Sequence, residues 1–139
     1  MKRDESLYFS RGYKYVVKKP YHFTLDIKPE QECDLMFLKM DMEGNILVLP
    51  GYPWDGASGP TWDTLNSMKG SLIHDVGYRL IRLCYINSAH KAYFDQELRN
   101  VCAKDGMFKW RADFWRWAVL KFGKGSTRPS AEPKIEVAP

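Results

Sequence analysis

Three features of the chain predict an α+β fold. Its first 50 residues alternate apolar and polar side chains around turn residues. Pro50, Pro53 and Pro60 then interrupt regular structure, and from about residue 69 the apolar spacing changes to a helical period. The expected architecture is a small N-terminal antiparallel sheet, about 13–50, followed by a three-helix unit. With 139 residues, 45% hydrophobic and 14% aromatic, the chain can fill one core. The expected organisation is a single domain over 1–123, with sheet at 13–50, loop at 51–68 and helices at 69–123. Residues 124–139 are expected to form a flexible or docking C-terminal tail.

Residues 1–12 are polar and read as a loose arm. Tyr13 to Lys18 is rich in strand formers, and Tyr21 to Ile27 alternates as a half-buried strand does. His22 within it reads as a surface histidine. Leu35–Met40 and Asn45–Leu49 flank Glu43-Gly44-Asn45, which reads as a hairpin. The first helix is expected from about Lys69 to Leu83, with an apolar stripe of Leu72, Ile73, Val76, Leu80 and Leu83. Gly77 in its interior costs about 1 kcal/mol against alanine, which suggests a close approach by another backbone. Asn87 or Ser88 can cap a second helix running to Lys104, with Ala92, Phe94, Leu98, Val101 and Cys102 buried. Asp105-Gly106 ends it. The third helix, Met107 to Phe122, is dense with aromatic rings, and Gly123 is its stop. Those rings read as core. Beside Lys109, Arg111, Arg116 and Lys121 they also suit a membrane interface. The tail carries Gly, Ser, three prolines and charges, and cannot fold alone.

No run approaches the roughly 18 apolar residues of a membrane span. Met1 to Ser6 is charged with no apolar stretch after it, so no signal peptide is read. Cys33, Cys84 and Cys102 fit neither a zinc pattern nor a disulfide framework, and read as reduced buried thiols. The net charge of +4 is mild, with a local basic excess from Lys104 to Arg128.

Candidate chemistry lies between Trp54 and Asp95. His74 and Asp75 are adjacent, so on a helix their side chains diverge by roughly 100 degrees and face two sides of one site. Tyr78 shares the His74 face one turn later. Asp55 lies in a loop whose glycines leave carbonyls free. Calcium takes six to eight oxygens, and Asp75, Asp55 and the Gly56 carbonyl would make a half-shell. His74 would then be free to act as a general base, with a carboxylate on its other nitrogen fixing the tautomer. Asp95 on the next helix is the nearest candidate. Taken alone, these residues also suit a capped loop and a satisfied buried histidine.

Trp54-Asp55-Gly56-Ala57-Ser58-Gly59-Pro60 followed by His74-Asp75-Val76-Gly77-Tyr78-Arg79 resembles a family of phage and prophage proteins classed as domain of unknown function 1353. The likeness covers roughly 51–123. More distantly, the same residues resemble prokaryotic secreted phospholipase A2, with an acidic calcium loop, His-Asp-Phe-Gly-Tyr-Arg on a helix, and a second helix whose end resembles Arg99-Asn100-Val101-Cys102. The resemblance implies a phospholipase A2-like pair of central helices. It implies His74 as general base, with Tyr78 supporting its surroundings. Asp75, Asp55 and the Gly56 carbonyl would hold calcium. The chain departs from the pattern at Lys91, which stands three residues before Phe94 where the orienting aspartate is expected; Asp95 lies one turn further on the same face. Ala57 and Leu72 stand near the places of the secreted enzymes' disulfide cysteines.

Two functions follow from the resemblance. One is a phage protein on a phospholipase A2-like scaffold, a virion, tail or lysis-associated component without catalysis. Its sheet and tail would serve as assembly surfaces. The other is a calcium-dependent phospholipid esterase using the His74 site. The corresponding partners are other phage structural proteins or a phospholipid membrane surface, with no specific nucleic acid; a homo-oligomer is compatible with both. The expected location is the host cytoplasm at synthesis, with the virion as a destination.

Overall fold

The computed structural model describes residues 7–9, 14–56, 63–132 and 136–138. It is an α+β structure, with small antiparallel sheets in the N-terminal half followed by three helices.

The largest sheet has four strands: β3 (Tyr21–Thr24), β4 (Cys33–Asp34), β5 (Leu38–Met40) and β6 (Asn45–Val48), in the order β3-β6-β5-β4. The hairpin expected around Gly44 joins β5 to β6. Its register sets Leu38 opposite Val48 and Met40 opposite Ile46, so these four side chains share one face, and all are buried. His22 is exposed on β3, as its alternation suggests.

One further strand lies within the Tyr13–Lys18 run of strand formers, though its partner was not legible along the chain. β2 is only Tyr15–Val16, and it pairs with β7 (Pro53–Trp54) outside the main sheet. β1 (Leu7–Phe9) falls in the stretch expected to be a loose arm. It pairs antiparallel with β8 (Glu136–Ala138) at the far end of the chain. The chain segment expected as a tail therefore folds back on its own domain. Residues 124–132 lie over the first helix rather than forming a linker.

That helix, α1 (Met68–Arg82), packs Leu72, Val76 and Leu80 against Val17, Leu38, Ile46 and Val48 of the sheet layer. Leu83 lies past its end and is exposed. Asn87 is the cap of the next element: its Oδ1 accepts from Ala89 N at 2.8 Å. It opens a 3₁₀ turn at Ser88–His90, and α2 proper runs Lys91–Lys104. Phe94, Leu98 and Cys102 are buried as expected, whereas Ala92 is exposed.

Gly77 does mark a close approach, but by a ring rather than a backbone. A Cβ there would stand 2.2 Å from Phe94 Cδ1. This contact lets α1 and α2 pack closely.

The third helix, α3 (Lys109–Phe122), is split between core and surface. Ala112, Trp115 and Val119 pack on Leu98 and Cys102 of α2. Trp110 and Trp117 are exposed, as is Phe108 just before the helix, so the aromatic run is not all core. Nor are the thiols all buried: Cys33 and Cys102 are, while Cys84 is exposed with a φ of 64° just past α1. Among the described residues, no helix is long and apolar enough to cross a membrane.

Candidate functional site

One face of α1 is polar, and it lines a cleft. His74 and Tyr78 stand one turn apart, their ring centroids 3.9 Å apart. Ser71, Asp75, Arg79 and Arg82 recur at three- or four-residue spacing beside them, and all six side chains reach a cavity of about 220 Å³. Asp55 and Gly56 line it from the loop after β7, and Ser126 and Ala131 from the C-terminal segment.

β7 is docked on α1 by two hydrogen bonds that position Asp55. The Trp54 indole donates to Ser71 Oγ at 3.2 Å. The hydroxyl of Tyr52, only 1% exposed, donates to Asp75 Oδ2 at 2.6 Å. Asp55 in turn accepts from the Lys14 N–H at 2.9 Å through Oδ1. Gly56 sits at φ +74°, in the left-handed region that glycine adopts without strain. Ala57, Ser58, Gly59 and Pro60, the rest of the loop motif, lie outside the described residues.

His74 is oriented from α2. Its Nε2 lies 2.7 Å from Asp95 Oδ1, an oxygen that also accepts from the Tyr78 hydroxyl at 2.5 Å. The other oxygen, Oδ2, accepts from Lys91 Nζ at 2.7 Å, and Lys91 also donates to the Val119 carbonyl of α3 at 3.3 Å. Asp95 therefore holds the orienting place that the motif count gives to Lys91. The two residues lie four apart on one helical face, so Lys91 becomes the aspartate's counter-ion rather than its replacement.

Asp95 is fully buried. Burial pushes its carboxyl up, but the three donors His74, Lys91 and Tyr78 outweigh this and hold it below its ordinary value. A carboxylate in that state obliges His74 Nε2 to carry the proton. Nδ1 then holds the lone pair, and it takes no hydrogen bond from the protein among the described residues.

Asp75 is shifted the other way. Burial raises its carboxyl above the usual range, partly offset by the Tyr52 hydroxyl and the guanidinium groups of Arg79 and Arg82. The folded state thus favours the neutral acid. Its stabilising contribution is complete below the unfolded value near 3.9 and is lost as pH rises through the higher folded value. Above that range the Asp75 carboxyl works against the fold. Groups held at such a cost are concentrated at functional sites.

The structure therefore brings His74, Tyr78 and Asp95 into one hydrogen-bonded group, and places Asp55, Gly56 and Asp75 around the same cleft. Sequence reasoning missed Tyr52 as the partner of Asp75, and Arg82 and Glu132 altogether. Arg82 Nε donates to Glu132 Oε1 at 2.8 Å and Arg82 Nη1 to the Ser126 carbonyl at 2.9 Å. The recurrence of Arg79 and Arg82 at helical spacing was the available signal for two cations on the His74 side of α1.

Comparison of the chain with protein-family models, with curated proteins and with solved structures finds no match.

Proposed function

We propose that the chain is a calcium-dependent ester hydrolase acting on phospholipid, with His74 as the base that activates water. One observation carries this reading. His74 Nε2 is tied to a buried carboxylate at 2.7 Å, while the ring's other nitrogen takes no hydrogen bond from the protein among the described residues and the ring borders a cleft. General-base catalysis by a histidine requires that division of labour.

In this mechanism a water between Nδ1 and the ester carbonyl gives its proton to His74 as its oxygen attacks the carbonyl carbon. Asp95 keeps the ring in one tautomer and stabilises the imidazolium that forms. Lys91 and Tyr78 keep Asp95 ionised and fixed in place. His74 then returns the proton to the leaving alkoxide, so the cycle ends with carboxylic acid and alcohol.

In this reading Asp55, Asp75 and the Gly56 carbonyl would hold calcium. Asp55 and Asp75 each have one oxygen taken by a protein donor and one without a protein hydrogen bond among the described residues, and the Gly56 carbonyl belongs to the same loop. When bound there, calcium would polarise the ester carbonyl and stabilise the oxyanion. No group of three acidic, histidine or cysteine side chains forms a metal cluster among the described residues, so carbonyls and water would supply the rest of the shell.

Support for a lipid substrate comes from the exposed surface of α3. Trp110 and Trp117 are 67% and 47% exposed, and Lys121 Nζ lies 5.0 Å from the Trp117 ring centre. Exposed rings edged by lysines suit the boundary of an anionic bilayer. The motif resemblance to phage proteins and to secreted phospholipase A2 agrees with action on a cell envelope.

The test is fatty-acid release from short-chain phosphatidylglycerol, with calcium and with chelator. Release should need calcium and fall by about 10²–10⁴-fold in His74→Ala. Undiminished release in His74→Ala would remove His74 as the base; no release by the wild type would leave a non-catalytic scaffold.

Asp75→Asn provides a separate readout. Without calcium the variant should melt above the wild type, because it removes a carboxylate that is unfavourable when ionised in the fold. Calcium at hundredfold its Kd should stabilise the wild type by about 2.7 kcal/mol and the variant not at all. Equal calcium responses in the two proteins would show that Asp75 is not a ligand.

A further inference from the structure

Arg82 is only 9% exposed, and its guanidinium faces the His74 cleft. A cation so placed requires an anionic partner. The partner comes from far along the chain: Glu132 Oε1 at 2.8 Å, with the Ser126 carbonyl on a second nitrogen at 2.9 Å. Arg79 brings Nε to within 4.0 Å of the same glutamate oxygen. Two guanidinium groups one turn apart therefore converge on one oxyanion beside His74 and Asp75.

The segment that delivers this oxyanion lies on α1 and α3 and runs on to β8, which pairs with β1, but most of its residues before Glu132 are exposed. It consists of two 3₁₀ turns, Lys124–Thr127 and Pro129–Ala131. Gly125, Ser126, Arg128, Pro129, Ser130 and Ala131 are all exposed. Segments that bury little apolar surface open at low free-energy cost. Glu132 and Ser126 are thus polar anchors on a largely exposed strap, and Ser126 and Ala131 border the cleft it crosses.

We propose that Arg82, assisted by Arg79, forms an anion subsite for a phosphate oxyanion, and that Glu132 occupies it as the chain's own stand-in. Guanidinium forks match carboxylate and phosphate alike, so the same donors serve both. Ligand entry then requires Glu132 to leave and the strap to lift, which makes the C-terminal segment a competitive inhibitor in cis. The proposal rests on the hydrolase reading only for what the phosphate is attached to: a lipid headgroup, in contrast to free phosphate.

The experiment is a calorimetric titration of the full chain with inorganic phosphate, and in a second arm with short-chain phosphatidylglycerol below its micelle concentration. Glu132→Gln should bind phosphate-bearing ligand about tenfold more tightly than wild type, because the competent state is no longer occluded. Arg82→Gln placed in that background should abolish the gain. A gain with phosphatidylglycerol identifies the headgroup as ligand; a gain with inorganic phosphate alone identifies free phosphate. If Glu132→Gln binds neither more tightly than wild type, or if binding survives Arg82→Gln, the subsite is wrong. Wild type gives a check that needs no variant: saturating ligand should speed amide exchange over 126–132, and unchanged exchange contradicts the strap. Excess chelator in both arms suppresses calcium-dependent turnover, so this proposal and the hydrolase reading stand or fall separately.

Discussion

Asp95→Ala is expected to cost about 3–5 kcal/mol of folding stability, the usual loss when one partner of a buried ion pair is removed. Three donors converge on this carboxylate: His74 Nε2, Tyr78 Oη and Lys91 Nζ. Alanine would leave His74 Nε2 and Tyr78 Oη without an acceptor, and Lys91, whose side chain is 16% exposed, with the Val119 carbonyl but no counter-ion. Asp95→Asn keeps the shape and one acceptor, so its loss should be smaller. The pH dependence gives a second signature. The folded Asp95 carboxyl lies below its ordinary value, so its contribution is complete above the unfolded value near 3.9 and is lost as pH falls through the lower folded value. The gap between wild type and Asp95→Asn should therefore narrow below about pH 4. Urea unfolding across that range measures both effects. A loss under about 1 kcal/mol for Asp95→Ala would mean that the network is not formed in solution.

Gly77→Ala should destabilise by about 2–3 kcal/mol, against the helix propensity gain of about 1 kcal/mol that alanine brings. The steric term wins because of what the new methyl meets. It would stand 2.2 Å and 2.4 Å from two ring carbons of Phe94, a side chain with no exposed surface into which to retreat. Relief requires α1 and α2 to separate. Since Asp95 follows Phe94 directly, that separation also pulls the carboxylate from His74, so the hydrolysis proposed for this site should fall together with stability. Gly70→Ala, on the same helix, meets Cys102 Sγ at 2.6 Å and the Leu98 Cδ1 and carbonyl oxygen at 3.3 Å, and should cost less, because its closest clash is milder than the 2.2 Å at Gly77. Thermal unfolding of the two variants tests the order. Gly77→Ala as stable as wild type would show that the helices are less closely packed than described.

The contrast between these two sites shows what the sequence made legible. Local periodicity was enough to put His74 and Tyr78 on one face and to place all three helices within a few residues, because a helix is built from neighbours along the chain. The hairpin at Gly44 was legible for the same reason. Asp95 was legible as the nearest partner of His74, but the motif count put Lys91 in the orienting place; both lie on one face of α2, and which one meets the ring depends on the closeness that Gly77 allows. Tyr52 reaching Asp75, β1 meeting β8, and Arg82 meeting Glu132 join segments with no shared local pattern. Such pairings are decided by how elements dock, and neither residue of a pair marks the other. The aromatic third helix misled in another way: its rings have helical spacing on both faces, so spacing alone could not say that Trp115 is buried and Trp110 exposed.

The role proposed for His74 requires its proton to lie on Nε2, on the side of α2. Long-range ¹H–¹⁵N NMR of the imidazole at neutral pH reads this directly. The expected spectrum has Nε2 protonated and Nδ1 with the shift of a bare lone pair, and Asp95→Asn should disturb that assignment. A ring protonated on Nδ1 would turn its donor toward the cleft, and no water there could be deprotonated by His74.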